Sequence, residues 1–451
     1  MDTTSKLNGI KATLVSLGCD KNTVDSEIML GMLAASGVTM TADLESAQVI
    51  IINTCGFLQD AVGEAKEEVE LALEHKKSGS CKVLIVTGCA AKRYPDEFLN
   101  TDGIDIVLGV AEYGDLIPRV LEYLEGDHSL PIQGDVDMAQ MHLIRIPSTP
   151  KHYAYLRIAE GCDSHCAYCT IPKIRGAYTS REMQSLLDEA RRLVDFGVKE
   201  IIIVAQDTTL YGKDIYGEQR LHTLLQELSQ IEGVKWLRLL YCYPEHIYDE
   251  LLEEMAQNPK ILPYIDLPIQ HSVDRILKLM NRKSTTQMLN NTIEKIRKAM
   301  PNAVLRTTLI TGFPGENEED FDEVCKFIET VKFDRLGVFP YSREGGTPAN
   351  KLPNHLPEKT KKERHDQLMQ IQQKISKKKL AQRLGEVVEV VVEGLDEGIY
   401  FGRSYGEAPD VDGVIFIENE EGLQIGDFVR VKIVETWEYD MIGEITNEPA
   451  K

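Results

Sequence analysis

Apolar positions recur along this chain in two rhythms. Short runs rich in β-branched residues, Lys11–Leu17, Gln48–Thr54 and Lys82–Thr87, read as strands. Between them lie stretches with helical spacing, such as Thr23–Ala35 and Gln59–Lys76. The alternation predicts βαβ units and a parallel sheet in an N-terminal α/β domain over residues 11–126. It resumes over residues 146–378. Strands are expected at Tyr153–Ile158, Glu200–Ala205, Trp236–Tyr241, Tyr264–Pro268, Val304–Thr311 and Leu336–Tyr341, and helices at Ser180–Asp195, Leu221–Ile231, Pro244–Asn258, Val273–Met280 and Glu318–Val331. Six βα units suit a partial (β/α)6 barrel, although strand count alone does not separate that from a doubly wound sheet. Pro357–Leu380 reads as a charged, solvated linking helix. Residues 381–449 change to a β pattern, with strands expected at Glu386–Glu393, Gly398–Tyr405, Gly413–Glu418, Asp427–Glu435 and Asp440–Thr446. That predicts a small antiparallel β-barrel.

The length, 451 residues, calls for more than one core, and 43% hydrophobic with 27% charged residues is a globular composition. No apolar run is long enough to span a bilayer, and Met1–Gly9 is polar, so a cytoplasmic protein is expected. There, nine cysteines point to metal ligands or buried thiols rather than disulfides. A net charge of −22 makes the chain a poor generic partner for nucleic acid and a better one for a basic molecule.

The cysteines change the picture most. Cys162, Cys166 and Cys169 form Cys-x3-Cys-x2-Cys on a loop after the first strand of the second region. Three thiolates on one loop can hold three corners of a 4Fe–4S cube and leave one iron open. Structural zinc asks for a fourth ligand, and none is obvious nearby. Tyr168 adds an apolar wall. Cys19, Cys55 and Cys89 each follow an expected strand, so a parallel sheet would bring them to one edge. Cys81, Cys242 and Cys325 fit neither set and read as structural thiols. Thr311–Glu316, Gln206, Asp207, Pro268–His271 and Tyr341–Thr347 lie at strand ends, the functional rim of such a barrel.

Cys162–Cys169 with Tyr168 resembles the signature of radical S-adenosylmethionine enzymes. With Cys19, Cys55 and Cys89 added, nearly the whole chain resembles the methylthiotransferase family: a cluster domain, a partial barrel and a TRAM-like β-barrel. Val15–Glu27, Leu240–Pro244 and Leu267–Arg282 are similar to the branch that modifies an aspartate of small-subunit ribosomal protein twelve. The tRNA branch carries a Gly-Cys-Gln-Met-Asn type segment where this chain has Gly18-Cys19-Asp20-Lys21-Asn22. Asp20 departs from that branch's more usual proline. Residues 381–451 hold five Lys and Arg against seventeen Asp and Glu, a net charge of −12, which suits a basic protein and speaks against direct tRNA binding.

The resemblance implies two 4Fe–4S clusters, S-adenosylmethionine, a sulfide source and a reduced electron donor such as flavodoxin or ferredoxin. It implies that the cluster of Cys162, Cys166 and Cys169 cleaves S-adenosylmethionine to a 5′-deoxyadenosyl radical. That of Cys19, Cys55 and Cys89 would present sulfide or methylsulfide to the substrate carbon, and a second S-adenosylmethionine would supply the methyl group. Tyr168, Gln270, Arg306, Gly312 and Gly315 are the expected adenosylmethionine-binding residues, with a structural charge as the competing role of Arg306. The competing functions are a tRNA adenosine methylthiotransferase and a non-catalytic two-cluster electron carrier, which would need no open iron.

Overall fold

The computed structural model describes residues 7–110, 112–127, 145–418 and 422–449; the part of the polar stretch before Leu7 lies outside them. In the first domain, β1 (Lys11–Ser16), β2 (Thr39–Met40), β3 (Val49–Thr54), β4 (Val83–Gly88) and β5 (Ile106–Val107) form a parallel sheet in the order β2-β1-β3-β4-β5. β3 and β4 are buried throughout because both faces are covered, and each opens with a run of four apolar residues, Val49–Ile52 and Val83–Val86. Ile50, Ile52, Leu84 and Val86 pack with Val62, Ala65 and Val69 of helix α2 (Gln59–Ser78). Ile51 and Ile85 face helix α1 (Asp20–Ala35) through Val24, Ile28 and Leu33. Successive residues point to opposite faces, so each strand serves two cores.

The second domain contains β6 (Tyr153–Arg157), the short antiparallel pair β7 (Ala159–Glu160) and β8 (Thr179–Ser180), then β9 (Glu200–Val204), β10 (Trp236–Leu239), β11 (Ile261–Asp266), β12 (Val304–Thr311) and β13 (Arg335–Pro340). Six strands form one parallel sheet in the order β13-β12-β11-β10-β9-β6. The spatial order follows chain order without reversal, which is a partial barrel and not a doubly wound sheet. Ile201, Ile203, Leu237, Ile265 and Leu305 face the surrounding helices. Tyr153, Tyr155, Ile202, Val204, Trp236 and Tyr264, on the concave side, share a core with α1. Helix α1 is therefore wedged between its own sheet and the barrel, and buries Asn22, Asp25, Ser26 and Glu27.

Three expectations need correction. β11 starts at Ile261, earlier than Tyr264, and runs through Pro263; the β10/β11 register shifts there, so the missing N–H falls at an irregularity. Pro244–Asn258 is a 3₁₀ turn at Pro244–His246 followed by a helix at Asp249–Gln257. Helix Glu358–Ala381 is not a solvated linker: Lys361, Arg364, Leu368, Gln372 and Ile375 are buried along it, against β13 and helix Glu318–Val331.

The third domain is a closed barrel of β14 (Val387–Asp396), β15 (Ile399–Arg403), β16 (Ile415–Glu418), β17 (Phe428–Thr436) and β18 (Met441–Ile445), in the order β14-β15-β16-β18-β17. Four pairings are antiparallel as expected, whereas β16 and β18 run parallel. The barrel docks on the second domain through buried ions. Glu200 meets Arg238 at 2.6 Å and Arg403 at 2.8 Å, and Arg238 donates to the carbonyls of Ser404 and Tyr405. No helix among the described residues is long and apolar enough to cross a membrane.

Candidate active site

Cys19, Cys55 and Cys89 sit just beyond the C-terminal ends of β1, β3 and β4, on one edge of the sheet. The loops approach so closely that side chains are excluded. A Cβ on Gly18, whose φ is +91°, would stand 2.7 Å from Cys55 Cβ, and one on Gly56 would stand 2.5 Å from the Ala90 nitrogen. Asn22, one turn into α1, fastens the three loops. Its amide donates to the carbonyls of Leu17 at 3.0 Å and Thr54 at 2.9 Å, and its Oδ1 lies 3.6 Å from Cys89 Sγ. Asn53 in turn donates to the Asn22 carbonyl at 2.9 Å. Both asparagines are buried, and sequence reasoning gave neither a role. The available signal was the position of Asn22, three residues after the first cysteine.

The second set lies on the loop after β7. Gly161, at φ +74°, admits the close pass of Ala177, whose oxygen would be 2.1 Å from a Cβ there. The amide of Ser164 donates to Cys162 Sγ and that of Ile171 to Cys169 Sγ, both at 3.4 Å. Arg282 lies 4.0 Å from Cys166 Sγ and stacks on Tyr243. Beside this loop opens a cavity of about 340 Å³ lined by Asp163, Cys166, Tyr178, Tyr243, Glu245 and Arg282. Burial pushes the thiols of Cys89 and Cys169 up to about 12 and also raises those of Cys55 and Cys162. The free side chains of Cys89 and Cys169 therefore hold their protons at neutral pH, and binding metal would release them.

A buried ionic network joins the two sets. Arg175 lies between them. Its Nη1 donates to Glu160 at 2.8 Å, and its Nη2 contacts Asn22 Oδ1 at 2.7 Å, Asp25 Oδ2 at 3.1 Å and Cys89 Sγ at 3.5 Å. Arg157 pairs with both Asp25 and Glu160. Gln206 donates to Glu160 at 2.7 Å, which gives this rim residue a place in the network.

The other expected site residues are distributed along the rim and the concave face. Tyr168 packs edge-on to Phe313 at 6.5 Å, within a cluster that holds Ile276, Met280 and Tyr341. Gln270, at φ +68°, is bound into β12: its amide donates to Thr308 and its carbonyl accepts from Ile310, both at 2.8 Å. Arg306 pairs with Asp266 at 3.0 Å and lies 3.7 Å from Asp412 of the third domain, so its charge already has two carboxylate partners. The Gly312 amide is committed to the Glu316 carboxylate, and a Cβ there would meet Lys361 at 2.5 Å. Gly315, at φ +86°, donates to the Asn354 carbonyl at 3.0 Å. The two glycines thus have a structural reason to be glycine. Asp207 accepts from Thr209 and sits 2.6 Å from His246. Cys81, Cys242 and Cys325 are buried.

Residues 156–328 match the radical SAM superfamily model, residues 11–109 the uncharacterized protein family UPF0004, and residues 384–446 the TRAM domain. The fold is similar to that of TsrM, a radical S-adenosylmethionine methyltransferase from Kitasatospora setae, with a TM-score of 0.57 at 14% identity, covering 76% of this chain and 77% of that one. The partial barrel with its three-cysteine loop makes this chain a radical S-adenosylmethionine protein. Its curated relatives narrow the class. It is 47% identical over 445 residues to the ribosomal protein uS12 methylthiotransferase RimO of Clostridium botulinum (strain Eklund 17B / Type B), covering 98% of this chain and 99% of the relative. It is 46% identical to the protein of that name from Clostridioides difficile (strain 630), covering 98% and 100%. The chain belongs to the uS12 methylthiotransferase family.

Proposed function

We propose that this chain adds a methylthio group to the β-carbon of an aspartate in ribosomal protein uS12, using S-adenosylmethionine and two 4Fe–4S clusters. The observation that carries the reading is a set of three cysteines at one sheet edge, reached at Cys89 by Arg175 of the domain that holds the second set, in a chain that matches uS12 methylthiotransferases over nearly its whole length.

The donor sets fit the clusters. Each offers three sulfurs, the soft ligands that iron–sulfur cubes take. Among the described residues no three Cys, His, Asp or Glu side chains are grouped to hold a single metal ion. Cys162, Cys166 and Cys169 would hold the cluster that meets S-adenosylmethionine, and Cys19, Cys55 and Cys89 the second. When bound, these groups supply one-electron chemistry that removes a hydrogen atom from an unactivated carbon, which no side chain achieves.

The chain supplies position and dryness. Tyr168, with Phe313 and Tyr341, forms an apolar wall beside the cysteine loop. The backbones of Gly312, Gly315 and Gln270 shape the rim where S-adenosylmethionine would lie, and Arg306 is the cation of the concave face nearest Asp266. Asn22 fixes the three loops of the first set, so the sulfur delivered there keeps one position relative to the barrel mouth. A sulfide source is the co-substrate, a reduced flavodoxin or ferredoxin the electron donor, and the cytoplasm the compartment in which a ribosomal protein is met.

The test is the mass of the uS12 peptide after incubation with reconstituted enzyme, reductant, sulfide and S-adenosylmethionine. A methylthio adduct on aspartate is the expected product. Unmodified uS12 alongside methylthiolated tRNA would overturn the reading. Replacing Cys162, Cys166 and Cys169 with Ala should abolish 5′-deoxyadenosine formation, whereas replacing Cys19, Cys55 and Cys89 should spare it and abolish sulfur insertion.

A further inference from the structure

Arg175 departs from what a structural ion pair requires. The buried carboxylates Asp25 and Glu160 already have a shared partner in Arg157. Arg175 nevertheless enters the same cluster, and its Nη2 carries three acceptors on two hydrogens: Asn22 Oδ1, Asp25 Oδ2 and Cys89 Sγ. The chain delivers this guanidinium from the second domain, six residues beyond Cys169, to a thiol of the first. It is fully buried and held from both domains, by Glu160 at 2.8 Å and Asp25 at 3.1 Å, so no water screens it.

We propose that Arg175 is a positioning residue through which the radical domain sets the reduction potential of the cluster held by Cys19, Cys55 and Cys89. The inference rests on the assignment of those three cysteines as ligands. A cationic donor 3.5 Å from a ligand sulfur stabilises the more negative, reduced cluster and raises its potential. Asp25 opposes it. The carboxylate touches the same nitrogen but not the sulfur, and it offsets part of the positive charge that Cys89 feels. Arg175 and Asp25 thus act on one cluster with opposite signs. Cys162, Cys166 and Cys169 have other donors, Ser164, Arg282 and Ile171 in that order. Reduction adds one electron to the cluster from a low-potential chemical reductant and makes or breaks no covalent bond.

The experiment is an anaerobic redox titration followed by electron paramagnetic resonance on full-length protein carrying both clusters, with dithionite as reductant. Iron content and thermal unfolding are measured on the same samples. Arg175→Met should move the potential of the first-domain cluster down and leave the other unchanged. Asp25→Asn should move the same cluster up. A purely structural bridge would lower the unfolding temperature in both variants and move neither potential, or move both in one direction; either result overturns the proposal. If Arg175→Met loses its iron, the upward shift in Asp25→Asn decides the matter. Replacing Cys19, Cys55 and Cys89 with Ala is the separate control. Iron content unchanged by that triple replacement defeats the ligand assignment itself, whatever the Arg175 variants do.

Discussion

Arg93 and Glu344 meet at 2.8 Å across the boundary between the first and second domains, both nearly buried. Arg93 also donates to the Gly56 carbonyl, next to Cys55, and Glu344 accepts from the Gln59 amide at 3.0 Å. The loop that carries Cys55 is thereby strapped to the barrel rim. Arg93→Ala should leave 5′-deoxyadenosine formation largely intact while the yield of methylthiolated uS12 per cleaved S-adenosylmethionine falls several-fold. Removing one partner of a buried pair costs about 3–5 kcal/mol, so a lower unfolding temperature is expected as well. A coupled drop in both products would mean that the strap serves the whole site and not the alignment of its halves.

Gly18 abuts Asn22 and Cys55 of the first thiol set. Its φ of +91° and the 2.7 Å approach of Cys55 leave no room for a side chain. Gly18→Ala should cut iron content toward half of wild type, because only the loops of Cys19 and Cys55 are pushed apart. Iron analysis with a parallel 5′-deoxyadenosine assay checks this: cleavage should persist while sulfur insertion fails. Full iron with normal sulfur insertion would show that the close approach is dispensable.

Much of the fold was legible in the chain because β-branched runs and helical spacing report burial directly. The convergence of Cys19, Cys55 and Cys89 followed from strand ends alone. What sequence could not show came from contacts between domains. Helix α1 is buried on opposite sides, so its apolar pattern is blurred by Asn22, Asp25 and Glu27, whose partners lie far away in the chain. Helix Thr286–Ala299, capped by Thr285, escaped notice because its apolar positions are sparse. Part of the negative charge of the third domain is already paired: Glu389 and Glu393 meet Lys235 and His152 of the second domain, and Glu386 pairs with Arg383 three residues before it.

Glu200 ties the third domain to the second, and its pH dependence follows. The guanidinium groups of Arg403 and Arg238 overcome the cost of burial and lower its carboxyl to about 2. A depressed folded-state value gives stability that is complete above the unfolded value, near 4.3, and is lost as pH falls toward 2. The contribution is on the order of 3 kcal/mol. Thermal melts from pH 7 to 3 should show the loss beginning below about pH 5. Glu200→Gln should melt lower at pH 7, since two buried guanidinium groups lose their counter-charge, and its acid dependence should be flatter. An acid profile identical to wild type would place the docking energy elsewhere.

Removing the third domain outright would be a poor test of substrate recognition, because it would uncover Arg238 and Glu200, which are wholly buried in the intact protein. Charge reversal on its outer face is cleaner. Glu418 and Glu444 stand opposite each other in the parallel β16/β18 pair, and both are exposed. Like charges directly opposite repel. Lys432 lies on the other side of Glu444, but its ammonium goes to Glu448 at 3.1 Å. A cationic side chain of a basic protein would relieve that repulsion, which makes this edge the place where uS12 should gain most. Replacing both residues with Lys should weaken uS12 binding by roughly fivefold to tenfold at low salt and flatten its salt dependence, since exposed charges are screened over about 10 Å at 0.1 M. S-adenosylmethionine cleavage without uS12 should not change, because neither residue belongs to the thiol sites. Unaltered uS12 affinity would move recognition off this face, and tight, salt-sensitive tRNA binding by the wild-type protein would remove the reason for it.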